Sequence, residues 1–208
     1  MNNIIQTIRH SARAAAVLLL ALCAAQTAGA WSGQGTEADP YKIASAADLQ
    51  QLAANVNNGT NYENMYFLQT EDIDCSTVEG TSTLGAGIGT ASYPFKGRYD
   101  GGGHKIKNLR ITATDSKYAG LFGYIQGGAY GGIEANTHIA EVHGVVLDNP
   151  TITITANGSE KYAGAIVGCA GDCSRIYDNT VIGGTVTYTG GSNYNTDYSN
   201  VLTAMNNG

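Results

Sequence analysis

Residues 142–153 read VHGVVLDNPTIT, and residues 176–187 read IYDNTVIGGTVT. Aligned without a gap, they set Val142, Leu147 and Ile152 against Ile176, Val181 and Val186. A second echo precedes each copy, YAGLFGYI at 118–125 and YAGAIVGC at 162–169. What recurs is aliphatic positions parted by turn residues, and no charged or nucleophilic side chain recurs in the YAG segments. Tyr118 to Tyr162 spans ten residues more than Val142 to Ile176, and the excess falls in QGGAYGGIEANTHIAE. Apolar positions that hold register while insertions collect at one turn are the mark of a solenoid.

The rest of the chain agrees. MYFLQTEDID, FKGRYDGGGHKIKNLRI, EVHGVVLDNPTITI and RIYDNTVIGGTVTY are β-branched and aromatic pieces cut by Gly, Asn and Asp, and each reads as a short strand. Alternation lasts only two or three residues, as in Leu109/Ile111 or Ile152/Ile154, less than a sandwich strand sustains. The fold class expected is all-β, a right-handed parallel β-helix with a short N-terminal capping α-helix. In such a solenoid each coil pairs with the next and equivalent aliphatic side chains stack into interior ladders. Glycine then serves the bends, or places where a side chain would strike the next coil. Gly120, Gly123, Gly164 and Gly168 are the structural repeat positions, and their glycines are expected to permit bends.

One helix is signalled in SAADLQQLAANVNNG. Ser45 is placed to cap it, and Asp48 at the third helical position completes a capping-box pattern. Leu49, Leu52, Ala53 and Val56 form one apolar face, and Asn57-Asn58-Gly59 makes a stop. An amphipathic helix here is well placed to cover the first coil, whose open edge would otherwise template aggregation.

The ends and the composition bound the setting. Arg9, His10 and Arg13 precede an apolar run, Ala14–Ala25, too short to span a bilayer, and Ala28-Gly29-Ala30 suits cleavage before Trp31. Residues 1–30 are therefore read as a signal peptide, 31–60 as a lead-in strand and capping helix, 61–190 as the β-helix, and 191–208 as a polar tail, truncated or disordered. Charged residues make up only 13% of the 208-residue chain, against 28 glycines and 13 tyrosines, which suits short strands and tight turns rather than disorder. The net charge of −6 and the lack of a basic stripe argue against a nucleic-acid partner. Past the leader three cysteines remain. Cys169 and Cys173 bracket Ala-Gly-Asp and could close a disulfide, while Cys75 reads as a buried free thiol.

With these segments in hand, the chain resembles the GLUG-motif proteins, bacterial surface β-helix repeats, over most of its length after the leader. GQGTEADPYKIASAADLQQLAANVNNG is similar to the family's lead-in and capping helix, and YFLQTEDID to its first core strand. FKGRYDGGGHKIKNLRI is similar to its glycine-rich turn, AGLFGYI and AGAIVGC to its repeats, and IYDNTVIGGTVT to its closing strand pair. Cys75 in place of leucine and the long Gly127–Ala140 insertion depart from the pattern. The resemblance implies a surface protein, often adhesin-like, or a non-catalytic segment of a larger surface enzyme such as an immunoglobulin-cleaving metallopeptidase. It brings no catalytic residue with it.

Candidates for chemistry are few. Glu71, Asp72 and Asp74 offer hard oxygens to calcium, but no known calcium-loop signature surrounds them, and solvation of an outer face accounts for them. Glu134, His138, Glu141 and His143 crowd the insertion without a metal-binding helix. His104 reads as a turn residue, and GAGIG at 85–89 as a glycine turn lacking the Lys-Ser/Thr of a phosphate loop. A β-helix lyase or hydrolase would need a cationic base near an acid, for which Lys105, Lys107 and Arg110 near Asp100 are the candidates. No pattern selects them. The expectation is a secreted or cell-surface, non-enzymatic, adhesin-like module without cofactor or metal. Its partner would be a host or environmental glycan or an extracellular protein, with no membrane span after signal cleavage.

Overall fold

The computed structural model describes residues 31–114, 116–128, 138–155 and 161–189. The expected leader (1–30), tail (191–208), Glu134 and most of the insertion lie outside them. The described residues form a solenoid-like all-β fold with one short helix. Strand β1 (Tyr41–Ile43) leads into α1 (Ala46–Asn57), followed by β2 (Tyr66–Gln69) and β3 (Ile73–Asp74). A third course holds β4 (Arg98–Asp100), β5 (Lys105–Lys107), β6 (Arg110–Ala113), β7 (Tyr118–Ala119) and β8 (Phe122–Ile125). A fourth holds β9 (Ala140–His143), β10 (Val146–Asp148), β11 (Thr151–Thr155), β12 (Tyr162–Ala163) and β13 (Val167–Ala170). The last described course is β14 (Ser174–Tyr177), β15 (Thr180–Ile182) and β16 (Thr185–Thr189).

Equivalent strands of successive courses lie side by side, and every pairing is parallel. The largest sheet runs β1-β2-β4-β9-β14; the others run β15-β10-β5-β3, β16-β11-β6, β12-β7 and β13-β8. The repeat read from the sequence is the register found: Val142 faces Ile176, Leu147 faces Val181, and Ile152 faces Val186. These columns continue inward to Tyr99 and Phe67, to Ile106 and Ile73, and to Ile111, and they line a buried core. Aromatic rings fill its first courses, Phe67–Phe95–Phe122 with Tyr99, while Trp31, Tyr41 and Tyr62 close around Phe67.

The corners repeat as well. Asn108, Asn149 and Gly183 occupy equivalent turns with φ of +55°, +57° and +62°. Asn and Gly are the residues that tolerate this left-handed backbone. The amide of Asn108 donates to the carbonyl of Asp148, and that of Asn149 to Ile182, so each corner stacks on the next.

Helix α1 forms as its residues dictate. The Ser45 hydroxyl accepts from the Asp48 amide, and Asp48 in return accepts from the Ser45 hydroxyl and the Ala44 amide. Leu49, Leu52, Ala53 and Val56 are buried, and Gly59 at φ +106° ends the turn. Asn57 clasps the segment opposite, donating to the Gly87 carbonyl and accepting from the Gly89 amide.

Two expectations change in detail. Tyr162 pairs with Tyr118, but Val167 pairs with Phe122 and Cys169 with Tyr124, so the second YAG copy carries one extra residue. Gly120, Gly123, Gly164 and Gly168 do not have positive φ. A Cβ on Gly120 would lie 2.6 Å from the Gly164 carbonyl oxygen, and one on Gly168 2.6 Å from that of Ala119. What these positions require of glycine is the close approach of neighbouring backbones rather than a left-handed φ; Gly120 also lies at the bend between β7 and β8.

Candidate functional site

The five-stranded sheet alternates inward and outward residues, and its outward positions form two columns. One is Tyr66, Arg98, Glu141 and Arg175; the other is Leu68, Asp100, His143 and Tyr177. Strand spacing sets members of a column about 4.8 Å apart. Such a column places charged and aromatic side chains in contact although they come from different courses.

Glu141 is the hub. It is 8% exposed, and its carboxylate accepts from the Tyr177 hydroxyl at 2.8 Å and from Nη1 of Arg175 at 3.3 Å. Nε2 of His143 lies 3.5 Å away, and Nδ1 of the same ring lies 3.6 Å from Asp100. A carboxylate this covered needs such partners, because burial penalises an unpaired charge. The imidazole of His143 lies flat on the Tyr177 ring, centroids 4.8 Å apart and planes 7° apart. The bond to Glu141 pushes the Tyr177 phenol above its ordinary pKa, which makes it a donor rather than a base. Arg98 lies over the Tyr66 ring and donates to its hydroxyl at 2.9 Å. Chemically this is a mixed-charge face with an exposed aromatic edge, its side chains held by one another.

The residues singled out as an acid–base set part company. Asp100 accepts from the Gly102 amide and faces His143, while Lys107 pairs with Asp72 at 2.9 Å. Lys105 pairs with Asp148 at 2.9 Å, and the Arg110 guanidinium caps the carbonyls of Cys75, Val78 and Gly80. His104 donates its amide to the Gly101 carbonyl, as a turn residue does.

Asp72 and Asp74 line an open groove of about 670 Å³ beside Ser45 and Glu79. The amide of Lys105 and the ammonium of Lys107 hold the Asp72 carboxyl down to about 2. Asn108 and Ser76 lower Asp74. His138 contacts Asn64 and Glu63, away from the Glu141–His143 pair. Among the described residues, no group of three or more His, Cys, Asp or Glu side chains is placed to hold a metal ion. In 85–89, Ile88 bridges to Phe122 and packs in the core. Cys75, Cys169 and Cys173 are free thiols here, and burial pushes the Cys75 thiol up to about 11.

Sequence reading missed Tyr66, Arg98, Arg175 and Tyr177. The signal lies in the repeat, whose alignment sets Glu141 against Arg175 and His143 against Tyr177, outward positions that the apolar periodicity does not mark.

No family model matches the chain, and no solved structure matches it. It is 34% identical over 155 residues, 65% of its length, to halomucin of Haloquadratum walsbyi, of which it spans 2%. It is also 34% identical over 96 residues, 45% of its length, to a protein of Evansella cellulosilytica provisionally named a Gly-rich membrane protein, spanning 10% of it. The chain thus matches small parts of much longer proteins.

Proposed function

We propose that the chain is a right-handed parallel β-helix of the GLUG kind, displayed outside the cell as a non-enzymatic, adhesin-like module that binds glycan or protein. The outward face of the five-stranded sheet carries this reading: Glu141, Arg175, His143 and Tyr177 are held in a fixed array by one another. A rigid surface that presents aromatic and charged groups is ready to bind without paying much ordering entropy. The separate partners of Asp100, Lys107 and Arg110 favour binding over the lyase or hydrolase alternative.

Residues 1–30 act as the cleavable export signal in this proposal, and N-terminal sequencing of exported protein should begin at Trp31. The stretch from 31 to 60 is the lead-in, and 61–190 the repeat body. Among the described residues, no helix is long and apolar enough to cross a membrane. The second relative's name assigns that protein to the membrane, which fits attachment of such modules at a cell surface. A screen of the full chain against glycans and extracellular-matrix proteins tests the function. Saturable binding to any of them that is lost when Tyr177 and Arg175 are both changed to Ala supports it; release of unsaturated products from acidic glycans would overturn it.

A further inference from the structure

Two guanidiniums on this face have donor capacity to spare. Among the described residues the Arg98 guanidinium donates to the Tyr66 hydroxyl, and no carboxylate lies within ion-pair reach of it. Arg175, whose side chain is 58% exposed, gives Nη1 to Glu141; its remaining N–H groups are open to solvent. They stand on either side of Glu141 in one outward column. The acids nearby already have partners: Glu141 is covered by its neighbours, and Asp100, though its side chain is 41% exposed, accepts from the Gly102 amide and faces His143. Beside Arg175, Tyr177 is 37% exposed and rests its other face on His143.

We infer that this face binds a carboxylate-bearing polysaccharide, a uronate polymer, laid across the strands with carboxylates on Arg98 and Arg175 and a sugar ring against Tyr177. The inference rests on the glycan-binding reading above and narrows it. A guanidinium fork matches a planar carboxylate bidentately, which an ammonium does not. The strand step of about 4.8 Å is close to the length of one sugar ring, so successive sugars meet successive members of a column. The net charge of −6 opposes an anionic ligand at long range. At contact, well inside a Debye length of about 8 Å, the two guanidiniums decide.

The test is binding of the full chain to immobilised polygalacturonate and to the same polymer after its carboxyls are reduced to alcohols. Native protein should bind the acidic polymer at least tenfold more tightly than the reduced one. Arg98→Gln and Arg175→Gln should each weaken acidic-polymer binding at least fivefold while remaining folded by circular dichroism at the assay temperature. Arg98→Lys, which keeps the charge and loses the fork, should weaken it at least threefold. Equal affinity for both polymers would overturn the carboxylate inference while leaving glycan binding in place. Binding to neither polymer would overturn it as well, and the glycan and protein screen then judges the broader reading separately.

Discussion

The Tyr177 hydroxyl donates to Oε1 of Glu141 at 2.8 Å, joining adjacent courses of the solenoid on its outer face. The chain places them together because Arg175 and Tyr177 fall opposite Glu141 and His143 in parallel register. The same register that stacks Val142 on Ile176 inside therefore builds the candidate site outside.

Tyr177→Phe removes a donor from a carboxylate that is nearly enclosed. A hydrogen bond to a charged group contributes about 1.5–3 kcal/mol, and partial exposure of Tyr177 puts the expected loss near the lower end. Urea unfolding of the variant should show a lower midpoint with unchanged slope. A wild-type midpoint would mean that Glu141 does not depend on this bond.

Gly168→Ala should be far more damaging than its size implies. The added methyl would lie 2.6 Å from the Ala119 carbonyl oxygen and 2.9 Å from that of Gly123. Both are backbone atoms of the adjacent course and cannot swing aside. Overpacking of this kind costs about 1–3 kcal/mol, sometimes more. Gly183→Ala, with open space around its Cβ, should cost only the left-handed backbone penalty of about 1–2 kcal/mol. Thermal melts that rank the two in the opposite order would contradict the close-approach explanation.

The fold was largely legible because its core positions recur at fixed spacing. Val142, Leu147 and Ile152 announced their partners, and Ser45 and Asp48 announced the helix start. The YAG glycines misled in one respect, since sequence cannot separate a glycine required by φ from one required by a neighbouring carbonyl. The site was less legible for a physical reason. Glu141, Arg175 and Tyr177 become neighbours only after parallel pairing, and none belongs to a local motif. Their outward direction follows from the two-residue period of a strand, but their contact follows from the stacking of courses. Lys107 and Asp100 look close along the chain, yet Lys107 turns to Asp72 on a preceding course.

Asp72 gives the structure a pH signature. Its carboxyl is held at about 2 by the Lys105 amide first and the Lys107 ammonium next, below its ordinary value near 3.9. A group lowered on folding stabilises above the unfolded value and loses that contribution as pH falls through the folded one. Asp72→Asn should therefore melt slightly below the native protein at pH 6, with the gap closing between pH 4 and about 2. A gap that stays constant over that interval would remove Asp72 from the account.

The cysteines should differ in reactivity. Burial holds the Cys75 thiol at about 11, and the thiolate is the reactive species, so native Cys75 should resist alkylation at neutral pH until the protein unfolds. The Cys169–Cys173 disulfide suggested by their spacing is a proposal for the oxidised protein. Peptide mass mapping without reductant should recover the two joined by one S–S bond; recovery of both as alkylated monomers would dismiss it.

In this proposal the outer face of the five-stranded sheet is the binding surface. Its most direct measurement compares glycan affinity of the native chain, the double variant Arg175→Ala/Tyr177→Ala, and Thr187→Lys on the separate β16-β11-β6 sheet. The double variant should lose at least tenfold in affinity and Thr187→Lys should keep native affinity, with all three folded by circular dichroism. Native affinity in the double variant, or an equal loss in Thr187→Lys, would contradict it.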